Sequence, residues 1–465
     1  MVATTFLLLL VQGLLQYPQQ AGDGLDEAVL GCMEQRAEWF GLKKIRCNPD
    51  NSGQESSNSN LVEEKEGNNV VARKEVGRNN GNVEEDYHQK VKSNLGSVSD
   101  ELIVFPVENL DKGCSMIIDP VDKLTEIFCQ GLSDSFYLVP QEAIGVGSVF
   151  EGWGPRACDA VYCVLVPLSP PPGHAFHLEL DTAGMAQRSF CVRVELLCTC
   201  MRKQLGKDML CFLHHPEEEL RRKQESCLLH TLCTGSYLDV EKTVQWFCRF
   251  VRVAWLFLPE SCHWHLMLQP SSRSCKFQLS KDKESCMAEM VFGVRQGNSD
   301  IFVGSQPSQV GMASTVWLET YAMAEAKFFR HISRQAPLNS WHCKNLQLLA
   351  AAKTGVAFYS YALKTVVMHL LSTVPLIQWR RKDLGWWLMD TLKYLHCSLK
   401  TKQLDHFVIG NERFPMEISL PSDLRLAEPL NLFRHLASNP NAHVKATQEY
   451  IHLLHRLKKL LIHGP

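Results

Sequence analysis

The apolar residues of this chain change their period partway along, and that change constrains the fold more than any other feature. "HAFHLELDT", "SFCVRVELLCTCM", "SCKFQLSKD" and "SCMAEMVFGVRQ" alternate apolar and polar residues, as half-buried antiparallel strands do. From about Thr315 the spacing turns helical, through "STVWLETYAMAEAKFFRHIS", "NSWHCKNLQLLAAAKT", "YSYALKTVVMHLLSTV", "RRKDLGWWLMDTLKYLHCSL" and "NPNAHVKATQEYIHLLHRLKKLL". Residues 107–134 also read as a helix, with Leu110, Met116, Ile117, Val121, Leu124, Ile127 and Phe128 inward, and so does "SYLDVEKTVQWFCRFVRVAWLFL". The expected class is α/β plus α: a mixed-sheet lobe over residues 100–312, then a helical lobe over 313–465. No internal repeat is visible.

Three further segments precede the lobes. Residues 1–22 hold an apolar run, Phe6 to Leu15, followed by Pro18, Ala21 and Gly22. The run is short for a transmembrane helix and suits a signal-peptide core; with no basic residues before it, a weak signal anchor is the alternative. Residues 23–47 place Leu25, Val29, Cys32, Met33, Ala37 and Phe40 at helical spacing, which predicts an amphipathic helix. Residues 48–99 are rich in Asn, Ser, Glu and Lys. They carry too little apolar surface to offset ordering entropy and are expected to be a disordered linker. "VAFYSYALKTVVMHLLSTVPLIQW" is the best competing span, but Lys364 and His369 sit inside it, so it reads as a buried helix.

"GVGSVFEGWGPRACDAVYCVLVPL", Gly145 to Leu168, carries the most chemistry. A Gly-Ser turn lets backbone amides and a hydroxyl approach a triphosphate. Carboxylates two residues apart on the next strand share a face and can hold two magnesium ions, roughly 3.5–4 Å apart, that clamp the attacking and leaving oxygens. The chain supplies Gly147, Ser148 and Asp159, and Glu289 in "CMAEMVFGV" could stand beside Asp159 if the two strands are neighbours. Ala157 occupies the position of the partner carboxylate. Losing that ligand should slow nucleotidyl transfer by about a thousandfold or more. The expectation is a vestigial site with no catalytic residues.

Other chemistry is sparse. Net charge is −2, which offers no general attraction to nucleic acid, and no nucleic-acid partner is expected. There is no G-x-S-x-G elbow, H-E-x-x-H pair or Walker A lysine loop. The basic runs at Arg221–Gln224 and Arg380–Lys382 read as solvated helix faces, and Trp386-Trp387 and Phe328-Phe329 as helix packing. Cysteine is abundant, at 18 residues. Cys198, Cys200, Cys211 and His214 have the ligand types of a zinc site, but the first two fall on a strand-like run, so packed thiols or a cross-strand disulfide are favoured. No metal and no cofactor are expected.

The order "GVGSVFEGWG", "CDAVYCVLVP" and a helical C-terminal half resembles the Mab-twenty-one-like superfamily, which includes cyclic GMP-AMP synthase. Within it, "CTGSYLDVEKTVQWFCRFVRVAW", "SYALKTVVMHLL", "LDHFVIGNERFP" and "AEPLNLFRHLASNPNAH" resemble the inositol trisphosphate receptor-interacting protein-like proteins. The resemblance covers roughly Asp100 to the C-terminus. It implies a nucleotidyltransferase-type lobe, a helical lobe, and a site mapping to Gly147, Ser148, Ala157, Asp159 and Glu289. The synthase branch's zinc loop has no counterpart, since His342 and Cys343 are adjacent with no cysteine cluster after them.

The resemblance also implies a protein partner, the inositol trisphosphate receptor, and modulation of calcium release. The functional expectation is a non-catalytic interaction protein, anchored by its N-terminus at the plasma membrane or endoplasmic reticulum. A signal peptide would instead place the folded part in the lumen or outside the cell, as a binding module for a cell-surface receptor. The alternative is an active metal-dependent nucleotidyltransferase using Asp159 and Glu289.

Overall fold

The computed structural model describes residues 107–131, 136–154, 160–181, 187–200, 210–224, 226–306, 311–337, 340–352 and 358–463. The N-terminal apolar run, the expected amphipathic helix, the polar linker, Ala157 and Asp159 lie outside the described residues.

Helix α1 (Val107–Gly131) opens the fold, and its Ile117, Val121, Leu124 and Phe128 are buried at helical spacing. Strands β1 (Val139–Pro140) and β2 (Ile144–Val146) lead into the single-turn helix α2 (Gly147–Phe150). Then come β3 (Val161–Ser169), β4 (His174–Leu180), β5 (Ser189–Leu196), β6 (Cys233–Thr234) and β7 (Tyr237–Leu238). Asp239 caps helix α3 (Val240–Trp255), accepting the Lys242 amide at 3.0 Å and the hydroxyls of Thr234 at 2.7 Å and Ser314 at 2.6 Å. Strands β8 (His265–Gln269), β9 (Cys275–Lys281), β10 (Glu284–Arg295), β11 (Phe302–Gly304) and β12 (Val316–Thr320) complete the sheet.

The main path through the sheet is β1-β3-β10-β11-β12-β5-β7-β6. β3 and β10 run parallel, in register from Val161↔Met287 to Pro167↔Gly293, while β10 pairs antiparallel with β9 and β11. A long, two-sided strand at this position must be apolar on both faces, and the run from Met290 to Val294 is buried throughout.

Among the described residues, five long helices follow: α4 (Ala322–Gln335), α5 (His342–Ala352), α6 (Phe358–Thr373), α7 (Leu384–Thr401) and α8 (Pro440–His463). A mixed sheet followed by helices is therefore the observed class. The helical pattern read from Thr315 onward is corrected at its start, because Val316–Thr320 is a strand pairing with β5 and β11. Trp317 explains the override: it is fully buried, and its Nε1 donates to the Leu238 carbonyl at 3.0 Å.

One core lies between α1, α3 and the sheet, where Phe128 and Phe247 meet Tyr162, Val164 and Phe292. A second fills the helical lobe around Phe328, Val366, Leu388, Leu395 and Phe407. Trp153 and Ile301 are contributed to this second core by the sheet-bearing part of the chain.

The expected membrane location is overturned for the described residues, none of whose helices is long and apolar enough to cross a bilayer. Helix α6 is the most apolar, yet Lys364 lies inside it and its Ala362, Leu363, Val366 and Val367 pack in the second core. The physical reason is that its apolar surface is spent on protein contacts.

Candidate functional site

Val146 of β2 pairs with Cys163 of β3, and the chain then turns sharply into α2. Gly147 makes this turn with φ of +79°, a left-handed conformation that costs a residue with a Cβ. Its carbonyl accepts the Glu151 amide at 3.0 Å, and the Ser148 carbonyl accepts the Trp153 amide at 2.9 Å. Gly152, with φ of +81°, completes the bend. The effect is to aim the Glu151 and Trp153 side chains into the helical lobe.

β3 and β10 are neighbours, as the sequence-level argument for Glu289 required, and their register places Glu289 opposite Cys163. The Glu289 carboxylate accepts the Ser274 hydroxyl at 2.6 Å and lies 3.3 Å from the Lys276 ammonium. Burial, then the carboxylates of Glu289 and Glu151, push the Cys163 thiol up to about 12. So the β3 residue facing Glu289 is a neutral thiol, and the charge beside Glu289 is a lysine. Gly147 and Ser148 stand next to this rung; Asp159 is outside the described residues. A cleft of about 1320 Å³ opens beside the turn, bounded by Gly145, Phe150, Pro167, His177, Arg295 and Arg330, but none of Gly147, Ser148 and Glu289 lines it.

A charged centre that sequence reasoning passed over sits behind the Gly-Ser turn. Lys364 of α6 donates to Glu151 Oε1 at 2.7 Å and to Glu325 Oε2, on α4, at 2.6 Å. The three side chains are 8%, 0% and 5% exposed, so the charges are desolvated and depend on one another. Trp153 Nε1 donates to the free oxygen of Glu151 at 2.7 Å, and the Tyr361 hydroxyl donates to that of Glu325 at 2.8 Å. The rings of Trp153 and Phe329 lie 5.9 and 5.7 Å from the ammonium. Burial is the largest influence on both carboxyls. It raises Glu151 despite Lys364, whereas at Glu325 the opposing pull of Lys364 and Tyr361 wins and the carboxyl lies below its ordinary range. The two carboxylates hold Lys364 above its usual value in spite of burial.

His406 closes the far end. Its Nδ1 accepts the amides of Val408 at 3.1 Å and Ile409 at 3.3 Å, so the ring proton sits on Nε2, 2.8 Å from the Tyr361 oxygen. Burial pushes this imidazole down to about 4. A continuous buried chain thus runs from His406 through Tyr361, Glu325 and Lys364 to Glu151 and Trp153. Helix α5 grips the same loop, with Gln347 Nε2 donating to the Gly154 carbonyl at 3.2 Å and Cys343 Sγ lying 3.7 Å from the Glu151 carbonyl. His342 faces away, bonded to Ser340 at 2.8 Å and Ser333 at 3.3 Å. The signal available in sequence was a lysine inside an apolar helix; nothing local named its partners.

A second clasp joins the sheet to the C-terminal loops. Asp300 accepts Lys327 Nζ at 2.8 Å and the Ser419 amide at 3.0 Å. Arg188 pairs with Asp423 at 2.8 Å and lies 3.5 Å from Glu319. At the opposite end of the sheet, Cys198, Cys200, Cys211 and His214 converge, their ligand atoms all within 4.8 Å of one another.

Residues 344–412, spanning α5 to the loop after α7, match the family described as the Mab-21 protein HhH/H2TH-like domain. The chain is 35% identical over 367 residues to the inositol 1,4,5-trisphosphate receptor-interacting protein-like 1 of Rattus norvegicus, covering 76% of this chain and 67% of that relative. The protein of the same name from Mus musculus matches to the same extent. The inositol 1,4,5-trisphosphate receptor-interacting protein of Danio rerio is 30% identical over 340 residues, covering 67% of this chain and 62% of that relative.

Proposed function

Because the chain belongs to the inositol 1,4,5-trisphosphate receptor-interacting protein family, we propose that it acts by protein contact, as a non-catalytic regulator of the inositol trisphosphate receptor. In this reading the nucleotidyltransferase-like lobe is a scaffold. The observation that carries the reading is the state of the rung beside the Gly-Ser turn. Glu289 is held by Ser274 and Lys276 and faces a neutral Cys163 thiol. Magnesium needs converging oxygens in near-octahedral array, and Ala157 withholds one of them. The segment after the turn is tied through Glu151 into the helical lobe, so it serves the fold's internal coupling.

Two measurements test this. Purified protein is incubated with labelled nucleoside triphosphates and magnesium or manganese; no turnover is expected, and turnover abolished by Asp159→Ala would overturn the reading. The same protein is then passed over immobilised, purified inositol trisphosphate receptor. Saturable binding that survives Asp159→Ala is expected, and absence of binding refutes the proposed partner.

A further inference from the structure

The sheet end distant from the Lys364 centre carries a second constellation that the scaffold reading does not use. β5 stops at Leu196, where the Leu197 amide is bonded to the Gly173 carbonyl at 2.8 Å. Cys198 and Cys200 therefore lie beyond the strand, not on it as the alternating sequence suggested. Released from strand geometry, two cysteines with one residue between them can turn to the same point. Cys211 and His214 approach from a turn in which the Cys211 carbonyl accepts the amides of His214 and His215, each at 3.2 Å.

That turn is independently anchored. Gln224 bonds both backbone groups of Leu210, at 2.8 and 3.1 Å, and Phe212 packs edge-on against Phe136 with centroids 4.5 Å apart.

The distances match one class of ion. His214 Nδ1 lies 3.1 Å from Cys200 Sγ and 3.5 Å from both Cys198 Sγ and Cys211 Sγ. Tetrahedral zinc, with bonds of about 2.3 Å to sulfur and 2.0–2.1 Å to nitrogen, sets its sulfur and nitrogen ligands roughly 3.6 Å apart. We infer that Cys198, Cys200, Cys211 and His214 form a closed, structural zinc site that fastens the end of β5 to the Leu210–His215 turn. Three thiolates and one imidazole suit zinc and exclude magnesium or calcium, which take oxygen ligands. With four protein ligands no position stays open for water or substrate, so the ion supports folding and performs no hydrolysis. Binding displaces three thiol protons to solvent and leaves a site of net charge −1.

The molecule supplies its own control. Cys227 and His230 also form a Cys-x-x-His pair, with 3.4 Å between Sγ and Nδ1, but they do not belong to the four-residue cluster.

The experiment uses the full chain, expressed with zinc and purified without chelator. Elemental analysis should find about one zinc ion per chain. His214→Ala and the double variant Cys198→Ala/Cys211→Ala should lose at least about nine-tenths of it, and His230→Ala should keep it. If His214→Ala does not fold, His214→Cys provides the second variant, since four thiolates should retain the ion. Cobalt exchanged into the wild type should give the intense visible bands of a tetrahedral thiolate site, absent in the double variant. Zinc-free wild type that also fails to take up added zinc or cobalt would overturn the inference. So would equal metal content in wild type and double variant, or a disulfide among Cys198, Cys200 and Cys211 in the untreated protein.

Discussion

Lys364 and Glu151 stand 213 positions apart in sequence and 2.7 Å apart in space, joining the helical lobe to the segment that follows the Gly-Ser turn. Both side chains are buried, so their attraction is little screened by water or salt. The pair, with Glu325, converts the relative position of two cores into an electrostatic requirement.

Replacing the lysine alone should therefore be severe. Lys364→Met strands Glu151 and Glu325 in an apolar surround and is expected to destabilise the fold by about 3–5 kcal/mol. The triple variant Lys364→Met/Glu151→Gln/Glu325→Gln should recover most of that loss, because no uncompensated charge remains. Urea denaturation of the three proteins checks this; a loss below about 1 kcal/mol for Lys364→Met would show that the centre contributes little.

Stability should fall on mild acidification. His406 and His342 are each pushed down to about 4 by burial, against about 6.5 for a free imidazole. Between those values the unfolded chain binds more protons than the native one, so stability rises with pH across the window. The contribution is complete above about pH 6.5 and is lost as pH drops toward 4, by up to about 1.4 kcal/mol per pH unit for each histidine. Denaturation at a series of pH values should show the slope, and His406→Gln should reduce it, leaving the share of His342.

Gly147→Ala tests the turn by conformation and not by space. A Cβ there would meet only the Cys163 Cβ, at 3.8 Å, an ordinary contact. The positive φ alone should cost about 1–2 kcal/mol, read as a lowered melting temperature. Gly145→Ala makes a useful contrast, since its added carbon would run into the Phe150 ring.

Nucleoside triphosphate with magnesium should leave the melting temperature unchanged, because a ligand raises it only by binding the native state. The same result is expected for Glu289→Gln, whose carboxylate is engaged with Ser274 and Lys276. A rise in wild-type melting temperature that Glu289→Gln removes would mean that the rung beside Gly147 still binds nucleotide.

Much of the chain declares its elements locally. The alternation from Cys286 to Met290 and the helical spacing from Ile117 to Phe128 correspond to the first half of β10 and to α1, because one-sided burial imposes its period on neighbouring residues; from Met290 to Val294, where β10 is covered on both faces, the alternation stops. Where packing outvoted the local pattern, reading failed. Val316–Thr320 joins the sheet because β11, shortly before it, and β5, far away in sequence, flank it. The cysteines of "LLCTCM" resembled strand residues because alternation persists past Leu196, while the pairing that makes a strand does not.

The sequence by itself determined that a sheet precedes a set of helices, the Gly-Ser turn and the family motifs, since each is carried by adjacent residues or by a repeating pattern. Only the tertiary structure decided that Glu289 faces Cys163, that Lys364 sits between Glu151 and Glu325, and that three cysteines and a histidine meet at one point. Such meetings depend on strand register and on how helices pack against a distant loop. Those are settled by burial summed over the whole molecule, which no short stretch of residues contains.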